Sequence, residues 1–152
     1  MKIGILSDTH GNLPDRFFSE LGRCDYIIHA GDIGSEKCYQ TLKTLPGSLY
    51  MVRGNCDMGR WAAYLPQTLS FLIQGVTFYL IHNLTDLPYP LPEADVIISG
   101  HTHAPTAYTR RNTLYLNPGS AGSPRLAPPS ILLLTITPAP DVHSSLRYTF
   151  IH

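Results

Sequence analysis

Three short apolar runs, Lys2 to Ser7, Tyr26 to Ala30 and Leu49 to Val52, are separated by two segments of helical periodicity. That alternation leaves few folds open. Strand, helix, strand, helix, strand is the pattern of parallel strands joined by helical crossovers. In the first crossover Leu13, Phe17, Phe18 and Leu21 share one helical face, with Asn12 as the expected cap and Pro14 in the first turn. The second helix is expected over Ser35 to Leu45. Beyond Gly54 the chain turns to strands: Leu69 to Ile73 and Val76 to Ile81 around a Gln74-Gly75 turn, then Val96 to Ser99, Thr113 to Leu116 and Ile131 to Thr137. Leu146 to Ile151 has a weaker pattern and reads as an edge strand. With 152 residues and no internal repeat, one domain over 1–152 is expected.

The polar residues carry the functional information. Asp8, Asp32, Asn55, His82 and His101 each stand at or just beyond the C-terminal end of an expected strand, the edge where open α/β sheets bind ligands. Asp8 and His10 lie two residues apart, as do His101 and His103, and in extended backbone such pairs point the same way. Gly100 allows close backbone approach. Asp32, between Gly31 and Gly34, offers two oxygens with which to bridge two ions; Asn55 adds a neutral oxygen and His82 a nitrogen. Two divalent ions held by two carboxylates keep a net charge of about +2, which favours an anionic substrate such as a phosphate. Mixed nitrogen and oxygen donors suit Mn first, with Fe, Ni, Zn or Co, rather than a thiolate-rich structural zinc site. Of the other histidines, His29 falls within a strand and is expected to be packed and hydrogen-bonded, while His143 and His152 belong to a solvated tail.

Composition removes several alternatives. Eleven Lys and Arg balance eleven Asp and Glu, so the chain has no general attraction for nucleic acid or an anionic membrane. Arg110-Arg111 is too little for a nucleic-acid stripe and reads as a hairpin tip. Cys24, Cys38 and Cys56 are odd in number and lack CxxC spacing, which fits a reducing compartment. The apolar run Ile3 to Leu6 is too short for a secretory core, and no stretch approaches the ~18 apolar residues of a membrane span, so a cytoplasmic location is expected. An aspartyl-nucleophile phosphatase would want an aspartate where His10 stands. A metallo-β-lactamase-type hydrolase would want an aspartate and histidine where Ala104 and Pro105 follow the His101–His103 pair. No GxxxxGK[ST] loop is present.

The ordered set Ser7-Asp8-Thr9-His10-Gly11-Asn12, Gly31-Asp32, Gly54-Asn55-Cys56-Asp57, His82, Gly100-His101-Thr102-His103 and Asn117-Pro118-Gly119-Ser120 resembles the calcineurin-like metallophosphoesterase superfamily, and most its compact bacterial and archaeal phosphodiesterase branch. The resemblance implies an α/β fold: a four-layer α/β/β/α sandwich, two mixed sheets flanked by helices, with the site at their carboxyl edge. It assigns Asp8, His10, Asp32 and His103 to one metal and Asp32, Asn55, His82 and His101 to a second, with Asp32 bridging. It implies hydrolysis of a phosphate ester, a diester before a monoester, by a metal-activated hydroxide attacking phosphorus directly, with Asn55 and His101 in reach of a phosphate oxygen.

Cys56 stands where many relatives carry the histidine that protonates the leaving group, so the general acid is unassigned. Asn83 replaces a usual glycine, and Asn83 to Glu93 is short and proline-rich where a helix commonly stands. The turn Asn117 to Ser120 is expected to support the site rather than act in it. The expected partner is a phosphate-ester substrate, with no membrane and no nucleic-acid surface; a homo-oligomer stays open. The competing reading is a non-catalytic metal-binding scaffold of the same fold, like the retromer subunits that serve as protein-interaction platforms.

Overall fold

A computed structural model describes all 152 residues. In the first sheet β1 (Lys2–Leu6), β2 (Tyr26–His29) and β3 (Ser48–Met51) run parallel, and α1 (Asp15–Leu21) and α2 (Glu36–Lys43) make the crossovers. The chain then builds a second sheet from β4 (Thr68–Ile73), β5 (Val76–Ile81), β6 (Val96–Ile98), β7 (Thr106–Arg110) and β8 (Thr113–Asn117). It returns to the first sheet as β9 (Ile131–Ile136) and β10 (Leu146–Ile151), with the short α3 (Val142–Ser145) between them. The strand orders are β10-β9-β1-β2-β3 and β4-β5-β6-β8-β7. Each sheet therefore has two parallel and two antiparallel pairings; in the first only β9 opposes the other four strands, and in the second β4 and β7 oppose the other three.

The inner strands read as near-continuous apolar runs because both of their faces are covered. Between the sheets, Ile3, Ile5, Ile28 and Val52 meet Phe78, Leu80, Val96 and Ile98 in a core of 17 buried residues. Burying each such large side chain contributes roughly 1.5–3 kcal/mol. On the outer face of the first sheet, Phe17 and Leu21 of α1 and Leu42 of α2 pack with Leu6, Ile27, Ile131 and Leu133. The outer face of the second sheet is thinner. Tyr79, Ile81, Ile97 and Tyr115 are covered by Leu84, Leu87 and Ala94 from the extended segment 83–95, which holds a single 3₁₀ turn, Leu84–Asp86. The sandwich has the expected four layers, the fourth reduced to that segment.

Two local expectations are corrected. Asn12 does not cap α1, because its amide Nδ2 donates to Gly122 O (3.1 Å); Pro14 occupies the cap position without a side-chain bond. The strand β7 had no sequence signal, since four of its five residues are exposed or polar and it packs only one edge of the sheet. Its hairpin with β8 turns at Arg111-Asn112, both in the left-handed region, so the expected tip is found. Gln74-Gly75 makes the same kind of turn between β4 and β5. No helix is long and apolar enough to cross a membrane.

Candidate metal centre

The carboxyl ends of β1, β2, β3, β5 and β6 open onto one edge, and all seven residues singled out in the sequence meet there. Asp8 follows β1, Asp32 follows β2, Asn55 follows β3, His82 follows β5, and His101 follows β6. His10 and His103 sit two residues further along their loops. Their pairing with Asp8 and His101 does not come from extended backbone, as the sequence suggested. Asp8, His10, Asp32, His101 and His103 all have positive φ, between 45° and 70°. Such conformations are unfavourable by about 1–3 kcal/mol each outside glycine and persist only where the surroundings over-determine them.

Those surroundings are specific. Asp8 N–H donates to Gly31 O (3.0 Å) and His10 N–H to Asp32 O (3.0 Å), knitting the first loop to the second. Asp57, buried and unassigned by sequence reasoning, receives Gly34 N–H and Gly54 N–H on its two oxygens, both at 2.9 Å. It clasps the second loop to the third. Ser120 Oγ donates to Asp8 O (2.7 Å), and Asn117 Nδ2 donates to Gly100 O and Thr102 Oγ1, both at 3.0 Å. The turn after β8 thus holds the loops in place and does not itself enter the cluster. Close approach explains the glycines at 54 and 100: a Cβ at Gly54 would strike Asp32, and one at Gly100 would strike Ser7 Oγ and Asp8.

Each carboxylate has one oxygen occupied and one aimed inward. Asp8 Oδ2 accepts from Ser7 Oγ (2.6 Å) and His101 N–H (3.0 Å), leaving Oδ1 towards the centre. Asp32 Oδ1 accepts Cys56 N–H (2.8 Å), leaving Oδ2. Around these oxygens, His103 Nε2 stands 3.3 Å from Asp8 Oδ1, His82 Nε2 3.3 Å from Asp32 Oδ2, and His10 Nε2 3.7 Å and 3.5 Å from the two. Asp8 Oδ1 and His10 Nε2 are buried and have no hydrogen-bond partner. Leaving such groups unsatisfied is unfavourable by about 1–3 kcal/mol each, more if charged. Donors about 2.1 Å from one ion stand roughly 3.0–3.4 Å apart, close to the spacing found. Asp8, His10 and His103 form one group able to hold a cation; Asp8, Asp32 and His82 form another.

The two buried imidazoles are oriented from behind. His82 Nδ1 meets Ala30 O (2.7 Å) and His103 Nδ1 meets Ser123 O (2.5 Å), so Nδ1 carries the proton and Nε2 faces the centre. His82 Nε2 faces acceptors too, Asn55 Oδ1 at 2.9 Å and Asp32 Oδ2 at 3.3 Å. A proton or a metal ion must therefore sit there. Burial depresses the His82 pKa, but the bonds to Asp32 and Ala30 outweigh it and leave it raised. For Asp32, burial works against the carboxylate, yet the His82 bond, the Cys56 N–H and the neighbouring imidazoles hold it at about 2. Asn55 Oδ1 also lies 3.2 Å from His101 Nδ1, completing the set.

Cys56 lies exposed beside Asn55, whose Nδ2 donates to its Sγ (3.4 Å); burial and the Asp32 charge push its thiol up. His29 is fully buried outside the cluster. Gly31 N–H donates to its Nδ1 (3.1 Å) and its Nε2 meets Thr9 Oγ1 (3.0 Å), so it is the packed, neutral histidine expected, its pKa lowered to about 3 by burial and by His82.

The chain belongs to the calcineurin-like phosphoesterase superfamily, whose domain model matches residues 1–138. It is 35% identical over 150 residues to a probable metallophosphoesterase of Methanothermobacter thermautotrophicus, covering 90% of this chain and 86% of that one. The solved structure of an archaeal phosphodiesterase superposes with a TM-score of 0.79 at 25% identity, over 99% of this chain and 100% of the other. Vps29 of Entamoeba histolytica, solved with zinc, superposes with a TM-score of 0.74 at 23% identity over 99% and 98%, a likeness of fold alone. Membership brings metal dependence and a phosphate-ester substrate, and the convergent donors fit that chemistry.

Proposed function

We propose that residues 1–152 act as one cytoplasmic phosphodiesterase unit that works with two divalent ions, manganese before iron, nickel, zinc or cobalt. The observation that carries this reading is the pair of buried, unpartnered donors, Asp8 Oδ1 and His10 Nε2, inside a ring of inward-facing oxygens and imidazoles. Asp8, His10, Asp32 and His103 would hold one ion; Asp32, Asn55, His82 and His101 the other. Asp32 would serve both ions: its Oδ2 faces His10 and His82, while its Oδ1 accepts Cys56 N–H. Two such ions supply Lewis acidity, lowering the pKa of water for direct attack on phosphorus and neutralising phosphoryl oxygens.

The chain's own groups do the rest. The buried Nε2 atoms present lone pairs because Ala30 O and Ser123 O hold the protons on Nδ1. Asn55 Nδ2 and the half-exposed His101 ring stand at the open side, where they would contact a phosphate oxygen. The diester preference is supported by the phosphodiesterase among the solved relatives. Three free cysteines and no disulfide agree with the cytoplasm.

The test is hydrolysis of a chromogenic phosphodiester and monoester by metal-stripped protein, with Mn, Fe, Ni, Zn, Co and Mg added back singly and His101→Ala as control. Metal-dependent diester hydrolysis, lost in the control, is expected. Stoichiometric metal binding without turnover of either ester would favour a scaffold role instead.

A further inference from the structure

The donor cluster is flanked on one side by a cleft of about 470 Å³, within the ~300–1,000 Å³ range of small-molecule sites. Asn55, His82 and His101 form its inner wall. Its outer wall is Arg53, Gln67, Asn83 and Asp86, and Ile81 is the one apolar residue lining it. Sites for small molecules are usually mostly apolar with a few polar groups. This one is the reverse.

Several of those groups are poised. Arg53 Nε donates to Asp57 O (2.9 Å), which fixes the guanidinium beside the clasp of the site loops, while its terminal nitrogens bond to no protein atom. The amide of exposed Gln67 and the carboxylate of exposed Asp86 are likewise without protein partners, and no ion pair joins Asp86 to Arg53. A donor fork, an amide and a carboxylate thus face one space next to the expected phosphate position. An aromatic or acyl group seated there would strip water from all three and return nothing. A group with several hydroxyls can satisfy them, and sites built to bond a substrate hydroxyl reject analogues that lack it.

We infer that this cleft is the subsite for the organic group of the substrate, and that it selects a hydroxyl-rich alcohol of the sugar or nucleoside class, with Arg53 and Gln67 as specificity-determining residues. The inference rests on the phosphodiesterase reading and deepens it. Arg53 donates to a hydroxyl or non-bridging oxygen, Gln67 exchanges bonds with the sugar, and Asp86 accepts from it.

Two diesters that release the same p-nitrophenolate test this: p-nitrophenyl uridine 5′-phosphate, whose ribose keeps two free hydroxyls, and phenyl p-nitrophenyl phosphate, which has none. The readout is the ratio of kcat/KM for the first over the second, measured at full metal content. The ratio should fall about tenfold or more in Arg53→Gln, as befits a charged hydrogen bond, and several-fold in Gln67→Ala, an exposed position where folding is not at risk. An unchanged ratio in both variants, with both esters turned over, would overturn the subsite and leave the phosphodiesterase reading standing. If the unmodified protein turns over neither ester, that reading fails and the subsite fails with it.

Discussion

The two sides of the metal cluster are built differently. On one, Asp8 and His103 are buried, and Asp8 is held by Ser7 Oγ and His101 N–H with Ser120 Oγ on its carbonyl. On the other, Asn55 is exposed, His101 is half-buried, and the cleft lies directly against them. Donors are fixed hardest where nothing needs to enter. Where a substrate would have to reach bound metal, the protein presents a neutral amide and a half-buried ring instead of a packed carboxylate. The lesson is that one cluster holds both a structural and a chemical half, with Asp32 between them.

The sharpest way to break that comparison is to remove the residue both halves share. Asp32→Asn should lower kcat/KM by at least about 10³-fold, since it weakens both sites at once; near-normal turnover in steady-state assays would defeat the bridging assignment. Next come the halves taken singly. His103→Ala should lower metal content and melting temperature together, whereas Asn55→Ala should lower kcat by about 10²-fold while the fold stays intact. Equal thermal losses in the two variants would erase the distinction between them.

The loop clasp gives a smaller effect. Asp57→Asn turns one of two acceptors towards Gly34 or Gly54 N–H into a donor, and should cost about 2–3 kcal/mol in urea unfolding. Acid gives a graded one. His29 has a folded pKa of about 3 against an ordinary 6.5, so below pH 6.5 the unfolded chain takes up a proton that the folded chain refuses. Stability of the metal-free protein should therefore fall by ~1.4 kcal/mol per pH unit from 6.5 towards 4, above the range in which protonation of Asp32 steepens the loss. His82 has the opposite shift, and its contribution is already complete below 6.5, so it leaves that slope unchanged. A His29→Gln variant should flatten the slope. The smallest effect is Ser120→Ala, about 1–2 kcal/mol from two lost bonds, Ser120 Oγ to Asp8 O and Ser123 N–H to Ser120 Oγ, read from the same unfolding curves.

What the sequence made legible follows from these roles. Five of the seven donors are conspicuous because each stands at or just beyond the end of an apolar run, and His10 and His103 because each lies two residues from one of those five; their chemistry is carried by residue type. The framework that aims them is not. Ser120 and Asp8 are 112 positions apart, and Asn117 reaches back 17 to Gly100; such bonds exist only once the sheets have brought the loops together. The left-handed backbone at Asp8, His10, Asp32, His101 and His103 was equally silent, since sterics alone disfavour it there. In the fold, the buried strands announced themselves by apolar runs, and β10 by a weak one, whereas exposed β7 did not. The cap of α1 was misread because Asn12 finds its partner at Gly122, far along the chain.

The central claim is that two ions share this cluster through Asp32. Manganese titration of the metal-stripped chain, with bound metal counted per chain, tests it most directly. Two ions per chain, the first bound more tightly than the second, is the result predicted here; saturation at one ion, or no binding, would contradict it.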